Sequence, residues 1–244
     1  MGALADLDAA VAAAGFAVEL FDRLPDVVFF AKDGGGRYVS VNRTLVQRLG
    51  MKEKAELIGR TTVDVFPPPL GERYLAQDLA VCRGGREIAD LLELHLYPDR
   101  LEGWCVTSKV PVRNAAGRVI GLAGTSRDVH APAAESAMGD LAGAVLHVRE
   151  HLDRPLRVAD LAALAHLSEY RFARRIRAVF GLTPAQLVIK SRIDAARAML
   201  QDSAAPIGEI ALACGYCDQS AFSRQFKAAV GLTPAQYREH SSHG

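Results

Sequence analysis

The chain has 244 residues, half of them hydrophobic and 23% charged, the composition of a globular protein with apolar surface enough for two cores. Its net charge of +1 hides an asymmetry: residues 1–135 hold 16 basic against 18 acidic side chains, and residues 136–244 hold 13 against 10. So small a basic surplus excludes binding to phosphate by bulk charge, and any such affinity must come from where the cations sit.

At the N-terminus, Leu4, Leu7 and Val11 make an apolar stripe on a short helix spanning residues 1–15. The stripe is too narrow to bury itself fully and is expected to meet a second copy of the chain. Acids and no basic stretch precede Ala9–Val18, which falls far short of the roughly 20 apolar residues of a membrane helix. A cytoplasmic protein with neither signal peptide nor membrane contact is expected. Val27 to Asn42 then reads as two strands joined by Gly34-Gly35-Gly36. A phosphate loop would need a Gly-Lys-Ser/Thr ending that opens a helix, whereas Arg37-Tyr38-Val39 begins a strand. Short helices are expected over 43–49, 55–58 and 72–82. Strands at 88–97, 103–112 and 118–128 close this half: Leu92, Leu94 and Leu96 alternate with Glu93, His95 and Tyr97, and Trp104 and Val106 with Cys105 and Thr107.

That order of elements, with Leu24-Pro25-Asp26, Asp33-x-x-Gly36-Arg37-Tyr38, Asn42, Ile58-Gly59-Arg60 and Gly124-Thr-Ser-Arg-Asp128, resembles a PAS domain over about residues 16–130. The resemblance implies a five-stranded antiparallel sheet with short helices, serving as a sensor or dimerisation module. It also raises haem and flavin. No histidine lies in the 72–82 helix where a haem ligand would fall, and the cysteine-centred flavin motif is absent, so no cofactor is expected. The expected pocket lies between the helices and the inner face of the sheet. His95 and Trp104 are its candidate ligand-binding residues, each weighed against a plain structural role, His95 as a locally satisfied strand histidine and Trp104 as core.

Residues 131–139, with Pro132, several alanines and Ser136, read as a linker to a domain at 140–244. The end of that domain says one thing twice. Phe172-Ala-Arg-Arg-Ile-Arg-Ala-Val-Phe-Gly-Leu-Thr-Pro-Ala-Gln186 returns 50 residues later as Phe222-Ser-Arg-Gln-Phe-Lys-Ala-Ala-Val-Gly-Leu-Thr-Pro-Ala-Gln236. Two copies make no solenoid. Each copy, at about 158–180 and 207–230, reads as helix, tight turn, helix. Val158, Leu161, Ala162 and Ala165 form one apolar stripe, His166-Leu167-Ser168 supplies a left-handed stop and a cap, and Gly215 to Asp218 stands at the same point in the second copy. Gly181 and Gly231 each lead into Thr-Pro-Ala-Gln, an N-cap, a first-turn proline and a capping-box glutamine. Between the copies Ile189, Ile193, Ala196 and Leu200 predict a long helix ending near Asp202.

Two helices joined by so short a turn are the helix-turn-helix signature, whose second helix fits a major groove. In the first unit Tyr170, Arg171, Arg174 and Arg175 are the candidate DNA contacts; in the second they are Gln219, Ser220, Ser223, Arg224 and Lys227. A solvated surface face would explain one basic helix, but not cations after the same turn in both. Cys214-Gly-Tyr-Cys217 resembles a dithiol or half a zinc site, yet Cys214 ends a helix and zinc takes four ligands. No metal is expected.

The run Pro206 to Lys227, closing in Gly231-Leu-Thr-Pro-Ala-Gln-Tyr-Arg238, is similar to the signature of the AraC/XylS-type DNA-binding domain. His166 departs from the usual turn glycine, and Cys217 from a common capping serine, leaving Asp218 or Ser220 to cap. The two resemblances together imply an α+β two-domain chain: a PAS-like sheet domain, then an all-α domain of two helix-turn-helix units joined by a long helix. They imply a sequence-specific transcription regulator acting as a homodimer on double-stranded DNA, with a small-molecule effector, and RNA polymerase as partner if it activates. No nucleophile–base or metal constellation supports an enzyme. The alternative is a PAS-based signalling or protein-interaction adaptor with a degenerate DNA-binding domain, which salt-dependent binding to a promoter fragment separates from the first reading.

Overall fold

The computed structural model describes Leu7 and residues 15–96, 102–129 and 139–241, and the chain divides into two compact units, Met1–Asp128 and Val129–Gly244. Leu4, Val11, Tyr97 and residues 131–138 of the expected linker lie outside the described residues.

The first unit runs α1 (Gly15–Phe21), β1 (Val27–Asp33), β2 (Tyr38–Val41), α2 (Arg43–Arg48), α3 (Leu70–Gly84), β3 (Ile88–Leu96), β4 (Glu102–Arg113) and β5 (Val119–Asp128). The five strands form one sheet in the order β2-β1-β5-β4-β3, every neighbouring pair antiparallel. Asn42 explains how the first elements lock together. Its Oδ1 accepts from Phe29 N at 2.9 Å and Leu45 N at 3.3 Å, and its Nδ2 donates to Phe21 O at 3.0 Å and Val27 O at 2.7 Å. One buried amide thus uses both its donors and its acceptor on α1, β1 and the start of α2. The helix expected at 55–58 is a 3-10 turn at Lys54–Glu56, and a second turn occupies Thr62–Asp64. There Asp64 Oδ2 accepts from Thr61 N at 2.7 Å, a capping box too short to show as periodicity.

Alternating polar and apolar residues ordinarily mark a sheet with one face in water. Here both faces are covered. Leu92, Leu94, Trp104 and Val106 are buried on one side, while Lys32, Glu93, Thr107, Lys109 and Ser126 are buried on the other. Leu7 is only 1% exposed and lies against the β5 backbone, where a Cβ added at Gly121 would meet it at 3.3 Å. This corrects the dimer-contact expectation for that residue: Leu7 is spent on the core of its own unit.

In the second unit a 3-10 turn (Gly139–Leu141) leads into α4 (Ala142–Glu150), α5 (Val158–Leu164), α6 (Glu169–Phe180), α7 (Pro184–Asp202), α8 (Ile207–Ala213), α9 (Gln219–Val230) and α10 (Pro234–Ser241). The two helix-turn-helix units are α5–α6 and α8–α9. Their turns carry the same hydrogen bonds: Leu167 N to Ala162 O at 2.9 Å in one, and Tyr216 N to Ala211 O at 3.0 Å in the other. The left-handed residue is His166 (φ 54°) in the first turn and Gly215 (φ 76°) in the second. Ser168 caps α6 by accepting from Arg171 N at 3.4 Å, and Asp218, rather than Ser220, caps α9 by accepting from Ala221 N at 2.7 Å. Thr183 and Gln186 close the expected capping box on α7. At 19 residues, α7 separates the two units by about 28 Å along its axis.

Candidate nucleic-acid interface and sensor cavity

Each second helix is strongly two-faced. On α6, Phe172, Ile176 and Phe180 are buried; Arg171, Arg174 and Ala178 lie exposed opposite them, and Tyr170 beside them is 75% exposed. Arg175 stands at the edge of that face and donates to Asp140 Oδ1 at 2.8 Å. On α9, Phe222, Phe226, Ala229 and Val230 are buried, leaving Gln219, Ser220, Arg224 and Lys227 exposed and Ser223 half-buried. Gln219 leans toward the start of α8, where its Oε1 would sit 3.4 Å from a Cβ added at Gly208. Arg174 and Arg224 occupy equivalent places, two residues after the first buried phenylalanine of each helix. Tethering Arg175 to Asp140 costs it some freedom to reach a phosphate, a restriction that Arg174 does not share.

Cys214 is buried at the end of α8, and burial pushes its thiol up to about 11; Cys217 is exposed and donates its S–H to Asp218. A thiol held protonated by desolvation is a poor nucleophile and a poor metal ligand.

The first unit holds a small cavity, about 40 Å³, between the polar face of its sheet and α3. Val28, Phe30, Leu45, Phe66 and Tyr74 form its apolar walls, and Lys32, Tyr38, Thr107, Lys109, Ser126, Glu93 and His95 its polar ones. His95 lines this cavity. Trp104 does not: it pairs with Leu94, one residue out of phase, so the pleat points it to the opposite face. The charged residues behind the cavity were not picked out from the sequence. Asp78 of α3, fully buried, accepts from Lys32 Nζ through Oδ2 at 2.5 Å and from Lys109 Nζ through Oδ1 at 2.7 Å. Glu93 accepts from Gln77 Nε2 at 2.7 Å and Arg73 Nη2 at 3.2 Å, and lies 3.7 Å from His95 Nε2. The one signal for them in the sequence is Lys32, which directly follows the apolar run Val27–Ala31 within the same strand.

Burial drags both lysines below their ordinary range, with Asp78 pulling back. Burial also works against the charges of Glu93 and His95. It is outweighed at Glu93 by His95, Arg73 and Lys109, which bring the carboxyl down to about 2, and at His95 by Cys105 and Glu93, which push the imidazole up to about 10. Because the folded value of His95 is raised, its contribution to stability is complete below about pH 6.5 and fades as pH rises through about 10. Lys32 and Lys109, held low by burial, gain stability over the same range, so the histidine shows as a difference: from pH 7 to 10, calorimetric melting of the whole chain should find the parent losing stability relative to His95→Gln. Parallel slopes would refute the charged histidine.

The class of molecule is now defined: a bipartite helix-turn-helix domain and a five-stranded α+β domain built round a polar cavity, on one chain. Residues 161–240 match the family model for a helix-turn-helix domain, and residues 21–134 match that for the PAS fold. A putative AraC-like transcription regulator of Streptomyces antibioticus is 28% identical over 174 residues, 70% of this chain and 47% of that protein. The probable transcriptional regulator LumQ of Photobacterium leiognathi is 30% identical over 75 residues, 31% of this chain and 30% of that protein. A crystal structure of an AraC-type regulator from Chromobacterium violaceum matches at 25% identity and a TM-score of 0.42, over 45% of this chain and 97% of that one. The matches thus span less than half the length of these two curated relatives. Along the chain, a match to the PAS fold is followed by a match to a helix-turn-helix domain. Among the described residues no helix is long and apolar enough to cross a membrane.

Proposed function

We propose that this chain is a sequence-specific DNA-binding transcription regulator whose PAS-fold domain responds to a small ligand. The observation that carries the reading is the repeated one: two equivalent helices, each capped after the same turn, each burying a phenylalanine pair or its equivalent and turning an arginine outward at the same place. An axial separation of about 28 Å along α7, with the helix bodies added at each end, suits the roughly 34 Å between successive major grooves on one side of a duplex. One chain is then expected to protect two adjacent grooves. Footprinting on DNA flanking its own gene tests this, and protection limited to about 5 base pairs per chain would refute it.

The cations divide by role. Arg174→Ala and Arg224→Ala should weaken all sites alike and each flatten the salt slope by about one unit, as phosphate contacts do. Arg175→Ala, which removes a side chain already engaged by Asp140, should change affinity less than either. Arg171 and Tyr170 in the first unit, and Gln219, Ser220, Ser223 and Lys227 in the second, complete the proposed surface. Fluorescence anisotropy over a salt series reads all three variants; an altered base preference in Arg174→Ala or Arg224→Ala would make that residue a base reader. Two copies acting together would bring four recognition helices to one operator, which light scattering of the free and DNA-bound protein examines directly. A monomeric mass in both states removes the dimer. As an activator it would also contact RNA polymerase.

A further inference from the structure

We propose that the cavity of the first unit binds a small organic carboxylate, held at its charged end by Lys32, Lys109 and the Thr107–Ser126 hydroxyl pair. The proposal rests on the reading of this domain as a ligand sensor and gives that ligand a chemical class.

Charge is the first reason. Lys32 and Lys109 bring two cations to the cavity, and both reach the same carboxylate, Asp78. Their side chains are only 2% and 5% exposed. Buried charge is tolerated when it is paired, so this lysine pair, with one carboxylate in contact between its two members, is a directly paired negative charge short.

Donor geometry is the second. An ammonium has three N–H bonds; Lys109 directs two to Gln77 Oε1 (2.9 Å) and Asp78 Oδ1, while Lys32 directs one to Asp78 and otherwise faces the rings of Tyr38 (4.2 Å) and Phe30 (5.0 Å). Thr107 Oγ1 and Ser126 Oγ lie 3.0 Å apart. That pair has two hydroxyl hydrogens and needs one between its members, leaving the other for an acceptor. The wall therefore offers donors and positive charge to an incoming group.

Shape is the third. About 40 Å³ is room for a few heavy atoms, since one water needs roughly 10–15 Å³ on a comparable measure. Val28, Leu45 and Phe66 supply apolar lining to the same cavity. A carboxylate of two to four carbons satisfies both ends, charge toward Lys32 and Lys109 and a short carbon tail toward the apolar side. An inorganic anion would satisfy one end only.

Isothermal titration of the whole chain with acetate, propionate, butyrate and pyruvate tests the proposal. Propionamide serves as the uncharged isostere, and nitrate and phosphate as inorganic anions. At least one carboxylate should bind at least tenfold more tightly than propionamide and either inorganic anion. Lys32→Met, checked for folding by its melting transition, should lose at least tenfold; should it fail to fold, Ser126→Ala should lose severalfold by removing a single hydroxyl. The inference is overturned by equal binding of amide and carboxylate, by preference for an inorganic anion, by undiminished binding in the folded variant, or by no carboxylate binding to folded protein. Salt-dependent anisotropy on promoter DNA, without any carboxylate, reports on the regulator reading separately. DNA binding with no carboxylate binding would sink the ligand assignment alone, and the reverse would sink the regulator.

Discussion

Alanine at Gly215 is expected to unfold the second helix-turn-helix unit and abolish specific DNA binding, while glycine at the equivalent His166 is expected to be nearly silent. Both residues make the same left-handed turn, at φ 76° and 54°. They differ in what surrounds them. A Cβ at Gly215 would fall 2.0 Å from the carbonyl oxygen of Leu152 and 2.6 Å from Arg192 Nη2. The arginine can swing away; the carbonyl belongs to the backbone after α4 and cannot without moving that turn. Backbone strain and overlap together place the cost at about 4 kcal/mol, a large share of a domain's stability. His166 is exposed, with its side chain in solvent, and pays only the left-handed penalty of about 1–2 kcal/mol. Glycine would recover that and lose roughly 0.5–1 kcal/mol in unfolded-chain entropy, for a net change within about 1 kcal/mol. Urea denaturation followed by helical circular dichroism separates the two. A Gly215→Ala protein as stable as the parent would show that the turn tolerates the side chain.

The same contrast tells which parts of the chain were legible in its sequence. The second unit is written locally: a cap, a stop and an apolar stripe lie within a few residues of one another. Thr183 with Gln186, Ser168 before α6 and the twin glycines Gly181 and Gly231 therefore mark four helical boundaries, the starts of α6 and α7 and the ends of α6 and α9. Asp218 against Ser220 stayed open because both are good caps; only the 2.7 Å reach from Asp218 to Ala221 N decides it. The first unit's strands were legible too, through their period of two. What covers each face was not, since a period reports alternation and says nothing of the helix that packs on it. Lys32 and Asp78 are 46 residues apart, and Asp78 and Lys109 are 31 apart. Sheet register and the placement of α3 bring them together. Arg175 and Asp140, 35 residues apart, are the same case in the second unit. Trp104 is buried opposite Leu94, on the sheet face away from the cavity, a placement that depends on register and not on residue type.

Replacing Asp78 with asparagine should cost the first unit about 3–5 kcal/mol, whereas Lys32→Met should change its stability by no more than about 1 kcal/mol. The asymmetry follows from one carboxylate serving two lysines. With Asp78 gone, two ammonium groups stay buried without their ion-pair partner, and only Lys109 still feels the more distant charge of Glu93, the costly half of breaking a buried ion pair. With Lys32 gone, Asp78 keeps Lys109 at 2.7 Å, and methionine fills an aromatic-walled space beside Phe30 and Tyr38 without a charge to satisfy. The double variant Asp78→Asn/Lys32→Met should recover part of the single variant's loss, because one stranded lysine remains instead of two. Alkaline pH offers a second check. Burial already holds both lysines below their ordinary range, so without Asp78 they should shed protons more readily still. The deficit of Asp78→Asn should then shrink as pH rises from 7 toward 10 and both states become neutral. Urea midpoints for the parent, both single variants and the double, taken at pH 7 and pH 10, measure every term. Equal losses for Asp78→Asn and Lys32→Met would mean that the carboxylate is not shared, and with it the charge deficit of the cavity would disappear.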